Sequence, residues 1–166
     1  FSTMKNPRIG VDFGVWDEKF DLVEWIKEYV EILDKNGSII IFCSYLYISY
    51  IIDELKANNI EVKDVLIWKK TNPMPRNVER RYVQDMEFAI WGVKTKSKWV
   101  FNKPKDVPYL RSQFEYSVVA GLEKVGHPTQ KSLNLMKDII KIHTNEGDII
   151  LDPFMGSGST GVASLE

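Results

Sequence analysis

The stretch LDPFMGSGST, residues 151–160, most constrains how this 166-residue chain can fold. An apolar run ends in Asp152 and is followed by a turn that contains Gly156 and Gly158. A strand end, a glycine turn and a helix start place backbone N–H groups at the carboxyl edge of a sheet, where α/β proteins hold nucleotide-like ligands. Hydroxyl groups for such a ligand come from Ser157, Ser159 and Thr160. A lone G-x-G is weak, so this pattern supports a ligand site and a structural turn about equally.

The rest of the chain alternates between helical and strand-like apolar spacing, which predicts an α/β fold. The predicted helices are residues 21–33, 47–59 and 132–143, and the predicted strands are residues 38–44, 61–70, 86–94, 98–103 and 149–152. The polar TKS between residues 86–94 and 98–103 predicts an antiparallel hairpin, and residues 104–126 form an irregular insertion. Trp25 and Trp91 are assigned to the core, whereas Trp99 and Phe101 could stack on bases, although packing on a strand is the preferred interpretation.

Composition and charge narrow the function classes. The 22 basic and 23 acidic residues nearly cancel, but residues 61–111 contain twelve Lys or Arg against six Asp or Glu, so the middle of the chain is basic. The single cysteine, Cys43, is interpreted as a small buried hydrophobe and suits a reducing compartment. Two histidines are too few for a metal cluster, and no apolar run is long enough to span a membrane. These features predict a soluble cytoplasmic protein without a metal site.

A second candidate stretch is HPTQK, residues 127–131, just before a predicted helix. Thr129 and Lys131 lie near the helix start, where they could meet a carboxylate or a phosphate. His127 and Pro128 end an extended piece, and His127 alone is better interpreted as a hydrogen-bonded structural residue than as a base. HPTQK by itself does not indicate a particular function.

A third stretch, IWKKTNPMPRNVERRYV at residues 67–83, is basic and aromatic. Its cations are Lys69, Lys70, Arg76, Arg80 and Arg81, and they alternate with Trp68, Tyr82 and a proline-stiffened turn at residues 72–75. This mixture suits phosphate contacts together with base stacking or insertion. A solvated basic loop is the alternative interpretation, and it would be preferred if this segment were the only clue.

Taken in this order, the stretches resemble the β-group amino-methyltransferases of bacterial DNA, and among them the adenine-N6 enzymes of restriction-modification systems. DPFMGSGST is similar to the family's AdoMet-binding F-x-G-x-G motif, at Phe154, Gly156 and Gly158. HPTQK is similar to the other cofactor motif, which precedes the glycine motif in this group. WKKTNPMPRNVERRYVQDMEFAIW and FSTMKNPRIGVDFGVWDEKFD resemble segments that follow the catalytic motif. The joint order is far more specific than any single motif.

The resemblance implies an incomplete Rossmann-like AdoMet-dependent methyltransferase sheet, with helices on both faces and an irregular DNA-recognition insertion. Residues 1–166 would form one partial domain: a catalytic-side half at 1–93, a target-recognition insertion at 94–126 and an AdoMet-binding half at 127–166. The implied S-adenosyl-L-methionine contacts are His127, Pro128, Thr129, Lys131, Asp152, Phe154, Gly156, Ser157, Gly158, Ser159 and Thr160. The implied DNA contacts are Lys69, Asn72, Pro73, Arg76, Asn77, Arg80, Arg81 and Tyr82.

The family's catalytic motif, D/N/S-P-P-Y/W/F, is not in this sequence and is expected just upstream of Phe1. No catalytic residue is therefore assigned here, and the chain is expected to be a fragment. In the family's sheet the strand with that motif lies between residues 149–152 and 38–44, so its absence should leave two unpaired edges. The isolated chain is expected to be aggregation-prone and inactive. The opening FSTMKN is expected to form a mobile loop over the target base.

The function implied by the resemblance is AdoMet-dependent methylation of the exocyclic N6 amine of adenine in a specific duplex DNA site, by base flipping. The expected partners are double-stranded DNA, a second copy in a homodimer and a cognate restriction endonuclease, with no membrane. Three alternatives stay open: an N4-cytosine DNA methyltransferase, a catalytically dead DNA-binding remnant, and a small-molecule methyltransferase. The last leaves the basic middle segment without a role.

Overall fold

A computed structural model describes residues 23–121, 124–125 and 129–166 of the chain. The helices are α1 (Glu24–Ile32), α2 (Ile48–Ala57), α3 (Leu133–His143) and α4 (Ser159–Ser164), with a 3-10 turn at Tyr45–Tyr47 before α2. The strands are β1 (Ser38–Cys43), β2 (Ile60–Lys70), β3 (Met86–Lys94) and β4 (Gln113–Tyr116). The three predicted helices and the strands predicted at 38–44, 61–70 and 86–94 are confirmed within one to three residues at each described end. The prediction for residues 21–22 lies outside the described residues.

The four strands form one sheet in the order β1-β3-β2-β4. The central strand β3 is antiparallel to both of its neighbours, with Ser38 opposite Val93 and Cys43 opposite Phe88. β4 runs parallel to β2, from Ile67 opposite Gln113 onwards. β1, β2 and β4 therefore point the same way, so their carboxyl ends share one edge of the sheet.

Apolar side chains cover both faces of this sheet, as predicted. On one face α1 and α2 pack against β1, β2 and β3 through a cluster of Ile26, Val30, Ile41, Ile51, Leu55, Ile60 and Ile90. On the other face α3 packs beneath Trp68, which is buried and donates its Nε1 proton to the Tyr116 carbonyl at 3.0 Å. Each fully buried side chain of this size contributes about 1.5–3 kcal/mol relative to exposure. The layers are helix, sheet and helix.

The predicted hairpin between residues 86–94 and 98–103 is wrong. Both edges of β3 are already paired, to β1 and to β2, so no edge is free for a third strand. Residues 97–104 run as irregular backbone whose N–H groups find other acceptors: Val100 donates to the Asn36 carbonyl at 3.2 Å and Asn102 to the Ile142 carbonyl at 2.7 Å. Trp99 and Phe101 pack against Trp91, so their packing role is confirmed although they lie on no strand.

Two further predictions need correction. The insertion at 104–126 is not wholly irregular, because residues 113–116 form β4 and belong to the sheet. The Tyr116 hydroxyl of β4 also donates to Asp138 of α3, and burial together with this bond raises the pKa of Tyr116 to about 12.

The predicted strand at 149–152 is absent, and Ile149 is 97% exposed. A strand needs a hydrogen-bonded neighbour, and among the described residues neither this run nor the outer side of β1 has one. The open edge of β1 agrees with the expected gap.

Among the described helices, none is long and apolar enough to cross a membrane.

Gly92 on β3 is required by the packing of the central strand. A Cβ at this position would lie 2.5 Å from the Cγ2 atom of Ile60 and 3.4 Å from that of Ile39. Both neighbours are held by strands, so neither can move away without disturbing the sheet. The backbone of β3 approaches its neighbours more closely here than any side chain would allow.

We expect Gly92→Ala to lower the free energy of unfolding by about 1–3 kcal/mol through overpacking. Gly161→Ala is the matched control, because a Cβ on Gly161 of α4 meets nothing within 4 Å. The control should be neutral or stabilising by up to about 1 kcal/mol, since alanine favours helices over glycine. Urea unfolding of both variants checks this, and equal stabilities would contradict the packing at Gly92.

His143 ends α3 inside an aromatic pocket. It is 5% exposed, its ring centroid lies 4.6 Å from that of Trp91, and its Nδ1 atom has no hydrogen-bond partner among the described residues. Burial lowers the pKa of His143 from 6.5 to about 4, because the charged ring would lose its hydration. The unfolded chain therefore binds a proton more readily than the folded one between these two values.

This difference predicts a pH-dependent loss of stability. The contribution of neutral His143 is complete above pH 6.5 and is lost as the pH falls towards 4, with a slope of up to about 1.4 kcal/mol per pH unit. Between pH 6.5 and pH 4 we expect the free energy of unfolding of His143→Leu to fall less than that of the parent protein. Above pH 7 the two free energies should change in parallel with pH. Denaturant unfolding at a series of pH values measures the difference, and a constant difference from pH 7 to pH 4 would count against it.

Candidate functional site

The glycine loop, residues 152–158, follows α3 and leads directly into α4. The Oδ1 atom of Asp152 accepts a hydrogen bond from the Phe154 N–H at 3.2 Å, and the Gly158 N–H donates to the Met155 carbonyl at 2.8 Å. Gly156 and Gly158 have φ angles of +53° and +77°, a backbone region that other residues rarely adopt. The loop geometry therefore depends on these two glycines.

Donor groups surround the open side of this loop. A Cβ on Gly158 would meet nothing within 4 Å, so free space lies beside the turn. Gly158 is the N-cap of α4 and no side chain caps this helix, which leaves first-turn N–H groups available. Half-buried hydroxyl residues lie next to them: Ser157, Ser159 and Thr160. The donor set suits a polar ligand that carries hydroxyl or carboxylate groups.

Phe154 connects the glycine loop to α1. Its ring lies edge-on to Trp25, with 4.9 Å between centroids, and 6.4 Å from the ring of Tyr29. Phe154 is still 49% exposed, so one side of the ring faces solvent. Trp25 packs against the core as predicted, but its contact with the loop and that of Tyr29 were missed. The sequence shows only the helical spacing of Trp25 and Tyr29, and this spacing does not indicate which residues they contact.

The HPTQK stretch is described in part. His127 and Pro128 lie outside the described residues, so their predicted roles stay predictions. The Lys131 ammonium lies 2.9 Å from the Glu87 carboxylate of β3 and 5.3 Å from the ring centroid of Phe42. Thr129 is exposed and its carbonyl lies 3.4 Å from the same ammonium. Lys131 therefore points towards the carboxyl ends of β1 and β2, near the start of β3.

Glu87 joins this lysine to the end of β2, and it was not among the residues predicted for the site. Its Oε1 atom lies 2.8 Å from the ammonium of Lys70, the last residue of β2. Burial alone raises the pKa of Glu87, but its ion pairs with Lys131 and Lys70 outweigh this and hold the pKa below its ordinary value of 4.5. A lone carboxylate in the apolar run MEFAIW was the available signal. The pair of lysines is thus held by one ionised carboxylate.

The basic loop, residues 71–85, connects β2 to β3 at the same edge of the sheet. Arg76, Arg80 and Arg81 are exposed, and no carboxylate of the described residues lies within ion-pair distance of any of them. Backbone acceptors order the loop: Arg81 donates Nε to the Arg76 carbonyl at 3.2 Å, and the Arg80 N–H donates to the Asn77 carbonyl at 3.1 Å. The guanidinium groups are available to an external anion.

Four other predicted DNA contacts have different settings. Tyr82 is 96% exposed, whereas Pro73 is half-buried. Asn72 accepts a hydrogen bond from the Val118 N–H through Oδ1 at 2.6 Å, so it links the basic loop to the segment after β4. Lys69 lies 3.7 Å from Glu115 in an exposed pair, which contributes little energy. Tyr82 is thus the most accessible of these four side chains.

Comparison with known proteins identifies the class of this fold and site. Residues 12–166 match the family N6_N4_Mtase, described as DNA methylase. The chain is 34% identical over 179 residues to the type II methyltransferase M2.MboI of Moraxella bovis and 32% identical over 172 residues to the type II methyltransferase M2.DpnII of Streptococcus pneumoniae. These alignments cover 98% and 94% of this chain.

Solved structures agree. The crystal structure of the M1.HpyAVI–SAM complex is 60% identical, with a TM-score of 0.81 over 89% of this chain and 72% of that one. The cytosine-N4-specific PvuII DNA methyltransferase is 16% identical with a TM-score of 0.71 over 85% of this chain and 60% of that one, a likeness of fold alone. The chain therefore belongs to the DNA methylase family. It spans 66% and 64% of the lengths of the two curated relatives named above.

The ion pairs of Glu87 generate a prediction about stability. We expect Glu87→Gln to lower the free energy of unfolding at pH 7 by about 1–3 kcal/mol, between the values for exposed and buried pairs. The loss should shrink as the pH falls through the depressed pKa of Glu87, because the parent carboxylate is then protonated too. Chemical denaturation at several pH values provides the measurement.

Glu28→Gln is the control for this change. Glu28 is exposed on α1 and has no ion pair among the described residues, so the same loss of charge should leave stability within about 0.5 kcal/mol. If the two variants unfolded alike at pH 7, Glu87 would not hold the two lysines.

Proposed function

We propose that the protein containing this chain is an AdoMet-dependent DNA methyltransferase that modifies the exocyclic N6 amine of adenine in a specific duplex site. The observation that supports it most is the 60% identity to M1.HpyAVI, whose solved structure is a complex with SAM. Family membership and the relatives named as type II methyltransferases agree with a DNA substrate. The choice of adenine rests on the resemblance described from the sequence.

The residues of the glycine loop fit such a cofactor. AdoMet carries an amino acid, a ribose and an adenine, and it supplies the methyl group on a sulfonium centre. We assign the backbone N–H groups around Gly158 and the neighbouring hydroxyls to its polar atoms, and the exposed side of Phe154 to apolar contact. Gly156 keeps the loop in its positive-φ conformation. Thr129 and Lys131 are proposed to lie near the amino-acid end, with His127 and Pro128 in the same motif.

The basic loop is proposed to hold the DNA. Lys69, Arg76, Arg80 and Arg81 would contact backbone phosphates, because their charges are exposed at the edge that also carries the cofactor motif. Tyr82 offers an exposed ring for stacking, and the base must leave the duplex before its amine can be reached. Of the recognition segment expected at residues 94–126, we propose that the part after residue 98, excluding β4, reads the target site, because residues 94–98 lie at the opposite end of the sheet from the basic loop. Asn72, Pro73 and Asn77 shape the loop that faces the DNA.

The wider setting is also proposed. The relatives are named as type II methyltransferases, which supports a restriction-modification system with a cognate endonuclease. We further propose that the protein works in the cytoplasm, where its DNA substrate is found, and that it forms a homodimer. Size-exclusion chromatography with light scattering tests the dimer.

Methyl transfer from labelled AdoMet to duplex DNA tests the main proposal, with protein made from the complete open reading frame that encodes this chain. Digestion of the methylated DNA to nucleosides should yield N6-methyladenine. N4-methylcytosine would overturn the choice of base, and transfer to small molecules without transfer to DNA would overturn the class of enzyme. Gly158→Ala should weaken AdoMet binding at least about tenfold, or about 1.4 kcal/mol, measured by calorimetry.

Gly147→Ala is the matched control for the glycine loop. Gly147 also has a positive φ, +87°, and free space around its Cβ position, so alanine imposes a similar backbone strain. It lies outside the glycine loop, and we expect its variant to lose stability without losing AdoMet affinity. Equal losses of affinity in both variants would show that Gly158 acts only through the fold.

A further inference from the structure

A basic cleft lies at the end of the sheet opposite to the glycine loop and the basic loop. Four lysines line it: Lys35 from the connection between α1 and β1, and Lys94, Lys96 and Lys98 from the turn after β3. Lys94 pairs with Ile60 and Val93 with Ser38, which places the turn beside the first residues of β1 and β2. β3 has nine residues at about 3.3 Å each, so the two ends of the sheet are about 30 Å apart.

Hydrogen bonds hold the walls of the basic cleft in place. Thr95 donates both its backbone N–H and its hydroxyl to the Asn59 carbonyl, at 3.0 and 2.8 Å, which anchors the turn to the start of β2. The Val100 N–H donates to the Asn36 carbonyl at 3.2 Å, which joins the two segments that carry the lysines. The cleft has a volume of about 510 Å³ and is open to solvent. The cleft is therefore a concavity whose walls are fixed by hydrogen bonds.

The charges in the cleft are not balanced from within. No carboxylate of the described residues forms an ion pair with Lys35, Lys94, Lys96 or Lys98. The whole chain has a net charge of −1, so this concentration of positive charge is local. Like charges brought together repel one another unless an anion offsets them.

We propose that the basic cleft binds the phosphate backbone of a second segment of duplex DNA, separate from the segment held at the glycine-loop edge. Lysines bind backbone phosphates as point charges, without reading sequence. The cleft and the basic loop lie at opposite ends of β3, about 30 Å apart, so we assign them to separate segments. That the bound polymer is DNA rests on the proposed function, whereas the inference that the cleft binds an anion does not.

The test compares two charge-matched triple variants of the full-length protein. One removes three cleft charges by K94Q, K96Q and K98Q. The other removes three exposed lysines that do not line the cleft, by K27Q, K56Q and K141Q. Both are made in a background with R76Q, R80Q and R81Q, so that binding at the other edge is weakened. The probe is a labelled duplex of random sequence, and its Kd is measured by anisotropy at several salt concentrations.

The cleft variant should bind the probe about tenfold or more weakly than the control variant, and the slope of log K against log salt should fall by about 2–3, since each lost phosphate contact removes about 0.9. Equal affinities and slopes in the two variants would overturn the proposal. Acetylation footprinting of the unmodified protein gives a second readout that does not depend on folding of a variant. DNA should protect Lys94, Lys96 and Lys98 more than Lys27, and equal protection would refute the cleft.

Methyl transfer separates this proposal from the proposed function. The cleft substitutions without the arginine changes should leave kcat and KM on a short target duplex unchanged, because that duplex occupies only the other edge. If the unmodified protein transfers no methyl group but the cleft variant still binds the probe more weakly than the control, the proposed cleft stands and the proposed enzymatic function is wrong. A cleft variant with a raised KM on the short duplex would show that both surfaces hold the same DNA segment, which would overturn the second site.

Discussion

The antiparallel pairing of β3 between β1 and β2 is the constraint on which the rest of the described structure depends. Its side chains alternate between faces: Ile90 enters the cluster under α1 and α2, whereas Ala89, Trp91 and Val93 pack on the opposite face. One strand therefore links both layers of the core, and its two hydrogen-bonded ladders hold β1 and β2 in register. Gly92 allows this close approach because it has no side chain to collide with Ile60.

The same strand connects the two ends of the molecule that carry charge. At its start Glu87 holds Lys70 of β2 and Lys131 of the HPTQK stretch, so the end of β2 and the segment before α3 share one carboxylate. At its end Lys94 begins the turn that lines the basic cleft. Rigid strands keep charged groups in fixed positions more effectively than loops do, so β3 fixes the positions of Glu87 and Lys94 relative to each other.

The elements that could be predicted from the sequence are those whose signal is local. The periodicity of α1, α2 and α3 and the β-branched runs of β1 and β2 identify their elements because each pattern lies within the segment itself. The strand predicted for KWVFNK does not form, because a strand needs a neighbour with a free edge and both edges of β3 are already paired. Residues 149–152 form no strand for a different reason: the outer edge of β1 is open, but the strand expected between it and this run is not among the described strands. The four residues of β4 were too short to stand out in an aperiodic segment.

The sequence by itself determined the family and predicted the residues of the candidate site, because the glycine motif, HPTQK and the basic loop are each contiguous and their order along the chain is readable. Only the tertiary structure decided which groups meet. The carboxylate of Glu87 lies between Lys70 and Lys131, Phe154 meets Trp25, and Lys35 joins the turn after β3, in each case across long stretches of chain. Such contacts depend on strand order and layer packing, and no local pattern encodes them.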